Sequence, residues 1–272
     1  MSKLSISKAW EETKGIAARD GRLIASVALA LILLPQAVAG LIMPPPLLSG
    51  EQAPAWGPLL SLVVAGIGVI GQVAIARLAL GPASSVGESI SHGVSRAGPA
   101  VLALLTFAIP LSVVLVGLLM VIVGPEALQA FGGGKPVPGL LGPILLVLLI
   151  AIAVATRFQM IVPAAAGESG GPLKLLRRSW ELTSGHYWRL LAFILIVLTL
   201  AIVLLLASVL LGGILGRVAF GEVKPLTIGA LVVGLISGAA QAALTALVSV
   251  MLARIYAQLS GKSRSSVPSS GT

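Results

Sequence analysis

Residues 100–123 read AVLALLTFAIPLSVVLVGLLMVIV, twenty-four positions without one charged side chain. At ~1.5 Å per residue a helix of this length reaches roughly 36 Å, enough to cross the ~30 Å hydrocarbon core of a bilayer. A surface helix of a soluble domain would keep one polar face, and this stretch has none. It also lacks the strict alternation of a barrel strand, so it predicts a transmembrane helix.

Working outward, uncharged apolar runs recur at residues 23–43, 57–76, 140–156, 190–211 and 226–253, which predicts six spans in all. The composition agrees. Of 272 residues 57% are hydrophobic and 10% charged, against about 25% charged in a typical soluble domain. No hydrophilic stretch is long enough for a separate soluble domain, so a single integral membrane domain is expected over 1–272. The chain has no cysteine, which excludes disulfides, zinc–thiolate sites and iron–sulfur clusters.

The charges sort by loop. The N-terminal tail, the second and fourth connections and the C-terminal tail together carry fifteen of the eighteen Lys and Arg and six of the nine acids. On the other side Lys135, Arg217 and Lys224 are cancelled by Glu51, Glu126 and Glu222. The whole net charge of +9 therefore falls on one face, which the positive-inside rule assigns to the cytoplasm. Topology accounts for the basic character, and nucleic acid is not an expected partner. Both termini are expected in the cytoplasm, with the chain in a bacterial cytoplasmic (inner) membrane.

An internal repeat organises the spans. Trp10-Glu11-x-Thr13-x-Gly15 returns as Trp180-Glu181-x-Thr183-x-Gly185, and each copy leads through an Arg-Leu pair, Arg22-Leu23 or Arg189-Leu190, into a span. A degraded middle copy runs from Ser89 to Arg96. The even-numbered spans end alike, in Ala76-Arg77-Leu78, Thr156-Arg157-Phe158 and Ala253-Arg254-Ile255. The expected architecture is thus all-α: six transmembrane helices in three pseudo-repeated pairs, 1–80, 81–160 and 161–260, with a flexible tail at 261–272.

Each unit opens on an amphipathic lead-in. In the third, Lys174, Arg177, Arg178 and Glu181 share one helical face and Leu173, Leu176 and Trp180 another. Such a helix should lie flat in the headgroup layer on the cytoplasmic side. The first has the same pattern around Trp10. Arg77, Arg157, Arg254, Lys174, Arg177, Arg178, Trp10 and Trp180 are therefore the candidate lipid-contact or interface residues. Two readings stay open for them, a generic anchor and a specific headgroup site. Convergence of the three exit arginines on one patch would favour the second.

The pattern Pro163, Glu168, Leu176-x-Arg178-Ser179-Trp180-x-Leu182-Thr183-x-Gly185-x-x-Trp188-Arg189, after a span ending in arginine, resembles the membrane domain of glycerophosphoryl diester phosphodiesterases. Related six-span bacterial membrane proteins look similar. The resemblance implies a membrane domain that is sometimes joined to a separate catalytic barrel. The chain holds no such barrel, and no catalytic residue carries over.

Chemistry-bearing residues are sparse. No acid falls within a span, and His92 and His186 stand outside any metal-binding spacing. The Gly132-Gly133-Gly134-Lys135 stretch lacks the first glycine and the Ser/Thr of a phosphate loop. No enzyme activity, cofactor or metal is expected. In the last span Ala230, Gly234, Gly238, Ala242 and Ala246 form a small-residue ridge at four-residue spacing, suited to close helix packing. Beside it run Ser237, Gln241, Thr245 and Ser249, which can hydrogen-bond between helices or line a polar path. Gln36, next to Pro35, and Gln72 are further polar candidates.

Two functions follow. One is a non-catalytic membrane protein whose basic cytoplasmic face contacts membrane lipids or a partner protein in the membrane. The other is a transporter or channel for a small or lipid-derived solute, which a polar cavity lined by Gln72 and Gln241 would favour.

Overall fold

The computed structural model describes residues 4–49, 54–81, 85–132, 137–221 and 223–261. Lys3, Glu51, Gly133, Gly134, Lys135, Glu222 and tail residues 262–272, with Lys262 and Arg264, lie outside the described residues.

Every regular element among the described residues is helical. α1 (Ile6–Ala28) continues through a π-helical turn (Leu29–Leu33) into α2 (Leu34–Ile42), followed by α3 (Pro46–Ser49) and α4 (Gly57–Leu80). Then come α5 (Val86–Val123), α6 (Pro125–Gly132), α7 (Leu141–Ala155), α8 (Ile161–Gly167), α9 (Pro172–Ser184), α10 (Tyr187–Phe220) and α11 (Ile228–Leu259). Five helical stretches, Ile6–Ile42, α4, α5, α10 and α11, are long and apolar enough to cross a membrane. The chain is a multi-pass membrane protein.

Local chemistry sets the helix ends. Side chains of Ser5, Ser85 and Thr227 accept from the backbone N–H of Lys8, Glu88 and Ala230, capping α1, α5 and α11. Gly124 and Gly221 end α5 and α10 at φ of 86° and 80°, where a side chain would be strained. The π turn sits directly before Pro35, which has no N–H to return to the preceding turn. The helix widens there, and Leu34 N–H reaches Leu29 O five residues back.

Two elements differ in form from their sequence reading. The apolar run at 140–156 yields only the fifteen-residue α7, roughly 22 Å long and short of the hydrocarbon thickness. The helix stops because Arg157 and Phe158 bond back three residues to Val154 O and Ala155 O, tightening into a turn that leads to α8. The lead-ins also differ from three separate interfacial helices. Only α9 stands alone, broken from α10 at Gly185-His186. The first and second lead-ins are continuous with their spans, in 37- and 38-residue helices. The helix-favouring Ile16-Ala17-Ala18-Arg19 carries α1 past Gly15 without a break.

α11 is the centre of the bundle, packed against α1, α2, α4 and α10, while α4 also packs on α5 and α8. The core joins Val73–Ala76 of α4, Ile161 and Ala164 of α8, and Ala253, Ile255 and Tyr256 of α11. α5, α7 and α10 turn large apolar side chains outward, as helices bathed in acyl chains do. Polar contacts gather many segments at one end of the bundle. There Ser5 N–H donates to Gln258 Oε1, Arg189 to Leu4 O, and His92 Nε2 lies 3.2 Å from Ala166 O. At another place Leu226 N–H donates to Leu41 O and Arg217 to Leu48 O.

Each lead-in rests on the exit of another helix. The first meets α11 through Glu12 and Arg254. The second sets Gly93 against Ile70 and Ala74 of α4. The third reaches the end of α7, where Ser179 Oγ and Thr183 Oγ1 donate to Arg157 O and Ser179 Oγ accepts from Met160 N–H. A carbonyl and an amide left over where α7 stops are thereby satisfied.

Candidate functional site

The small residues of α11 decide how closely α2 approaches. A Cβ on Gly234 would lie 2.8 Å from Ala37 O, and one on Gly40 would lie 2.8 Å from Gly234 Cα. Gly238 faces Leu33 O across 3.1 Å in the same sense. Here two backbones touch, the arrangement that small residues permit in membrane helices. Ala242 continues the ridge and is buried against α1.

Beside this contact the helices part around a cavity of ≈ 630 Å³. Its polar groups come from three directions: Gln36 of α2, Ser61 and Gln72 of α4, and Ser237, Gln241 and Thr245 of α11. Leu205 of α10 and residues 43–46 complete the wall. Gln241 and Ser61 are exposed, Gln72 and Gln36 half-buried. Ser237 Oγ is buried and has no hydrogen-bond partner among the described residues. α4 and α10 flank the cavity but make at most marginal contact with each other. Leu31 and Ile32 of the π turn, and Gln36 just after it, lie on the same wall.

Among the described residues no charged side chain lines this space. Its glutamines and hydroxyls both donate and accept, so they can exchange hydrogen bonds with an uncharged polar group. An isolated ion would lose its hydration there with no opposite charge to replace it. Among the described residues no group of three or more His, Asp or Glu could hold a metal ion.

The three exit arginines have three different surroundings. Arg254 donates through Nε to Glu12 Oε2 at 2.7 Å and through Nη1 to Ala79 O at 3.3 Å, tying α11 to α1 and α4. Arg157 is sandwiched between the Trp180 and Tyr187 rings, 4.9 and 4.6 Å from their centroids. Arg77 is exposed. Of the α9 cations, Arg178 donates to Glu168, which also accepts from the Tyr256 hydroxyl. Arg177 pairs with Glu181 at 2.9 Å, and Lys174 donates to Ser169 O. Trp10 and Trp180 are 42% and 51% exposed.

A family model described as a domain of unknown function, DUF7847, matches residues 4–259. The chain belongs to the DUF7847 family. No curated protein and no solved structure matches it. The DUF7847 match runs from before α1 to the end of α11, so the cavity, the Gly40–Gly234 contact and all three exit arginines fall inside the family's domain. Reading the sequence alone singled out Gln36, Gln72, Ser237, Gln241 and Thr245 but passed over Ser61, since a lone serine in an apolar helix carries no signal of its own. Tyr256 was missed as well: its partner Glu168 lies 88 residues away.

Proposed function

We propose that the chain carries a neutral, lipid-derived amphiphile across the bacterial cytoplasmic membrane through the cavity between α2, α4, α10 and α11. The observation behind this reading is a cavity with three glutamines and three hydroxyls in an otherwise apolar wall. An uncharged headgroup would exchange hydrogen bonds with those side chains. Its acyl chain would leave between α4 and α10, which do not seal against each other.

In this reading the chain crosses six times, as three pairs. α7 makes the short fourth crossing, extended at its far end by the turn at 156–160. The lead-in contacts described above recur from one unit to the next, which favours a repeated design, and the loop asymmetry of Lys and Arg favours termini in the cytoplasm. The role is non-enzymatic, and the resemblance to the glycerophosphodiesterase membrane domain contributes its membrane-domain pattern only. A second role, contact with anionic lipid, is favoured by the exposed Lys174, Arg177 and Trp180 on α9.

The test is translocation in proteoliposomes. The probe is an NBD-labelled glucosyl lipid, whose uncharged headgroup crosses a bilayer slowly unaided, and dithionite reports the outer-leaflet fraction. Wild type should expose the inner-leaflet pool. Gln72→Leu and Gln241→Leu should each slow exposure by about tenfold, the worth of one or two lost hydrogen bonds. Equal rates in protein-free vesicles and proteoliposomes would overturn the reading.

A further inference from the structure

Where α7 gives way to α8, polar groups are left unsatisfied in a way that the cavity does not explain. Arg157 Nη1 and both amide atoms of Gln159 are buried and have no hydrogen-bond partner among the described residues. Buried donors in native proteins almost always find partners, and an unpaired guanidinium nitrogen is among the costliest exceptions. Aromatic faces at Trp180 and Tyr187 fix the Arg157 guanidinium in place without offering it an acceptor. Among the described residues no carboxylate forms an ion pair with it. The acids nearby are engaged elsewhere: Glu181 with Arg177 and Arg178, and Glu168 with Arg178 and Tyr256. Among the described residues, Arg157 and Lys174 are thus two cations without a carboxylate partner on this face.

An apolar groove of ≈ 550 Å³ begins at the same place. Phe158 stacks on Phe107 with centroids 4.0 Å apart and contacts Trp180 at 5.9 Å, linking the arginine to the groove between α5 and α9. From there Phe107, Pro110, Leu111 and Val114 line it for two turns of α5, away from His92 and the polar end of the bundle. Arg177 stands at its rim. Arg157 lies against Trp180, which with Phe158 lines the groove, and a cation beside an apolar channel matches one ligand class, a phosphodiester with an acyl chain attached.

We infer that the α7–α8 turn and the adjoining α5–α9 groove form a binding site for one anionic glycerophospholipid, its phosphate at Arg157 and Gln159 and an acyl chain along Phe107 to Val114. The site is separate from the cavity and does not depend on its role. It also distinguishes the exit arginines. Arg254 is already neutralised by Glu12, and Arg77 is exposed.

The full chain, purified and delipidated in detergent, is titrated with phosphatidylglycerol or phosphatidylcholine. Native mass spectrometry counts the lipid retained, and thermal unfolding reports stabilisation. Wild type is expected to retain one phosphatidylglycerol and to be stabilised by it more than by phosphatidylcholine. Arg157→Gln should lower retention by about tenfold, the loss of a charge-assisted contact. Leu111→Trp fills the groove without altering charge and should do the same, which keeps the test valid if Arg157→Gln folds poorly. Arg77→Gln should retain lipid like wild type. Equal retention of the two lipids, or unchanged retention in Leu111→Trp, would overturn the site. So would stabilisation by glycerol phosphate matching that by phosphatidylglycerol, since a free headgroup would then suffice.

Discussion

Gly234→Leu is expected to lower the melting temperature in detergent by about 6–12 °C and to cut the yield of folded protein. The Cβ alone would meet Ala37 O at 2.8 Å and Gly40 Cα at 3.4 Å, and both are backbone atoms that cannot rotate away. α2 and α11 would have to separate. Overpacking of this kind costs about 3 kcal/mol, and in a chain of this size each kcal/mol moves the melting point by about 2–4 °C. Gly117→Ala on α5, where an added Cβ meets nothing within 4 Å, should be neutral or slightly stabilising. The contrast matters because the Gly40–Gly234 contact forms one wall of the cavity. A Gly234→Leu protein as stable as wild type would mean that α2 does not rest there.

The second large effect is expected at Glu12 and Arg254. Their side chains are 22% and 20% exposed, and the pair joins α1 to α11 across 242 residues of sequence. Glu12→Ala would leave the Arg254 guanidinium partly buried with only Ala79 O and solvent as partners. Breaking a fully buried pair costs about 3–5 kcal/mol, and exposure at this site reduces that to about 2 kcal/mol. Arg254→Ala should cost a similar amount. The double variant should lose clearly less than the two singles combined, because neither charge is then stranded. Thermal unfolding of the four proteins gives the coupling directly. Strict additivity would show that α1 is held to α11 by apolar contacts alone.

These two sites also mark what sequence reveals and what it hides. The spans are legible because twenty or so uncharged residues in a row have few soluble explanations: residues 100–123 fall within α5 and 190–211 within α10. The small-residue ridge is legible for the same kind of reason, since glycine at four-residue spacing has little use on a helix face except close approach. Hydropathy cannot tell where the backbone leaves the helix. Residues 140–156 read as a full span, yet α7 stops at Ala155, held by hydroxyls of Ser179 and Thr183 more than twenty residues away. An amphipathic lead-in looks alike whether it lies in the interface, as expected for all three, or runs on into its span as in α1 and α5.

The arginines show the same limit. Arg77, Arg157 and Arg254 close their spans in near-identical tripeptides, and nothing local predicts an open surface for the first, two aromatic rings for the second and a carboxylate for the third. Those partners are set by tertiary packing. Within the cavity, Gln72 and Gln241 stood out as large polar groups in apolar runs. Their meeting in one space with Gln36 is set by how α2, α4 and α11 pack together.

The central claim is that a solvent-reachable polar cavity lies between α2, α4, α10 and α11, and the absence of native cysteine makes it directly measurable. Single-cysteine variants Gln241→Cys, Ser61→Cys and Gln72→Cys are exposed to a membrane-impermeant thiol reagent in intact cells, with Ala76→Cys, 1% exposed in the core, as the control. The account predicts labelling at Gln241 and Ser61 from outside the cell, slower labelling at Gln72, and none at Ala76. If Gln241→Cys and Ser61→Cys resist the reagent as fully as Ala76→Cys does, the cavity is closed to solvent and the account is contradicted.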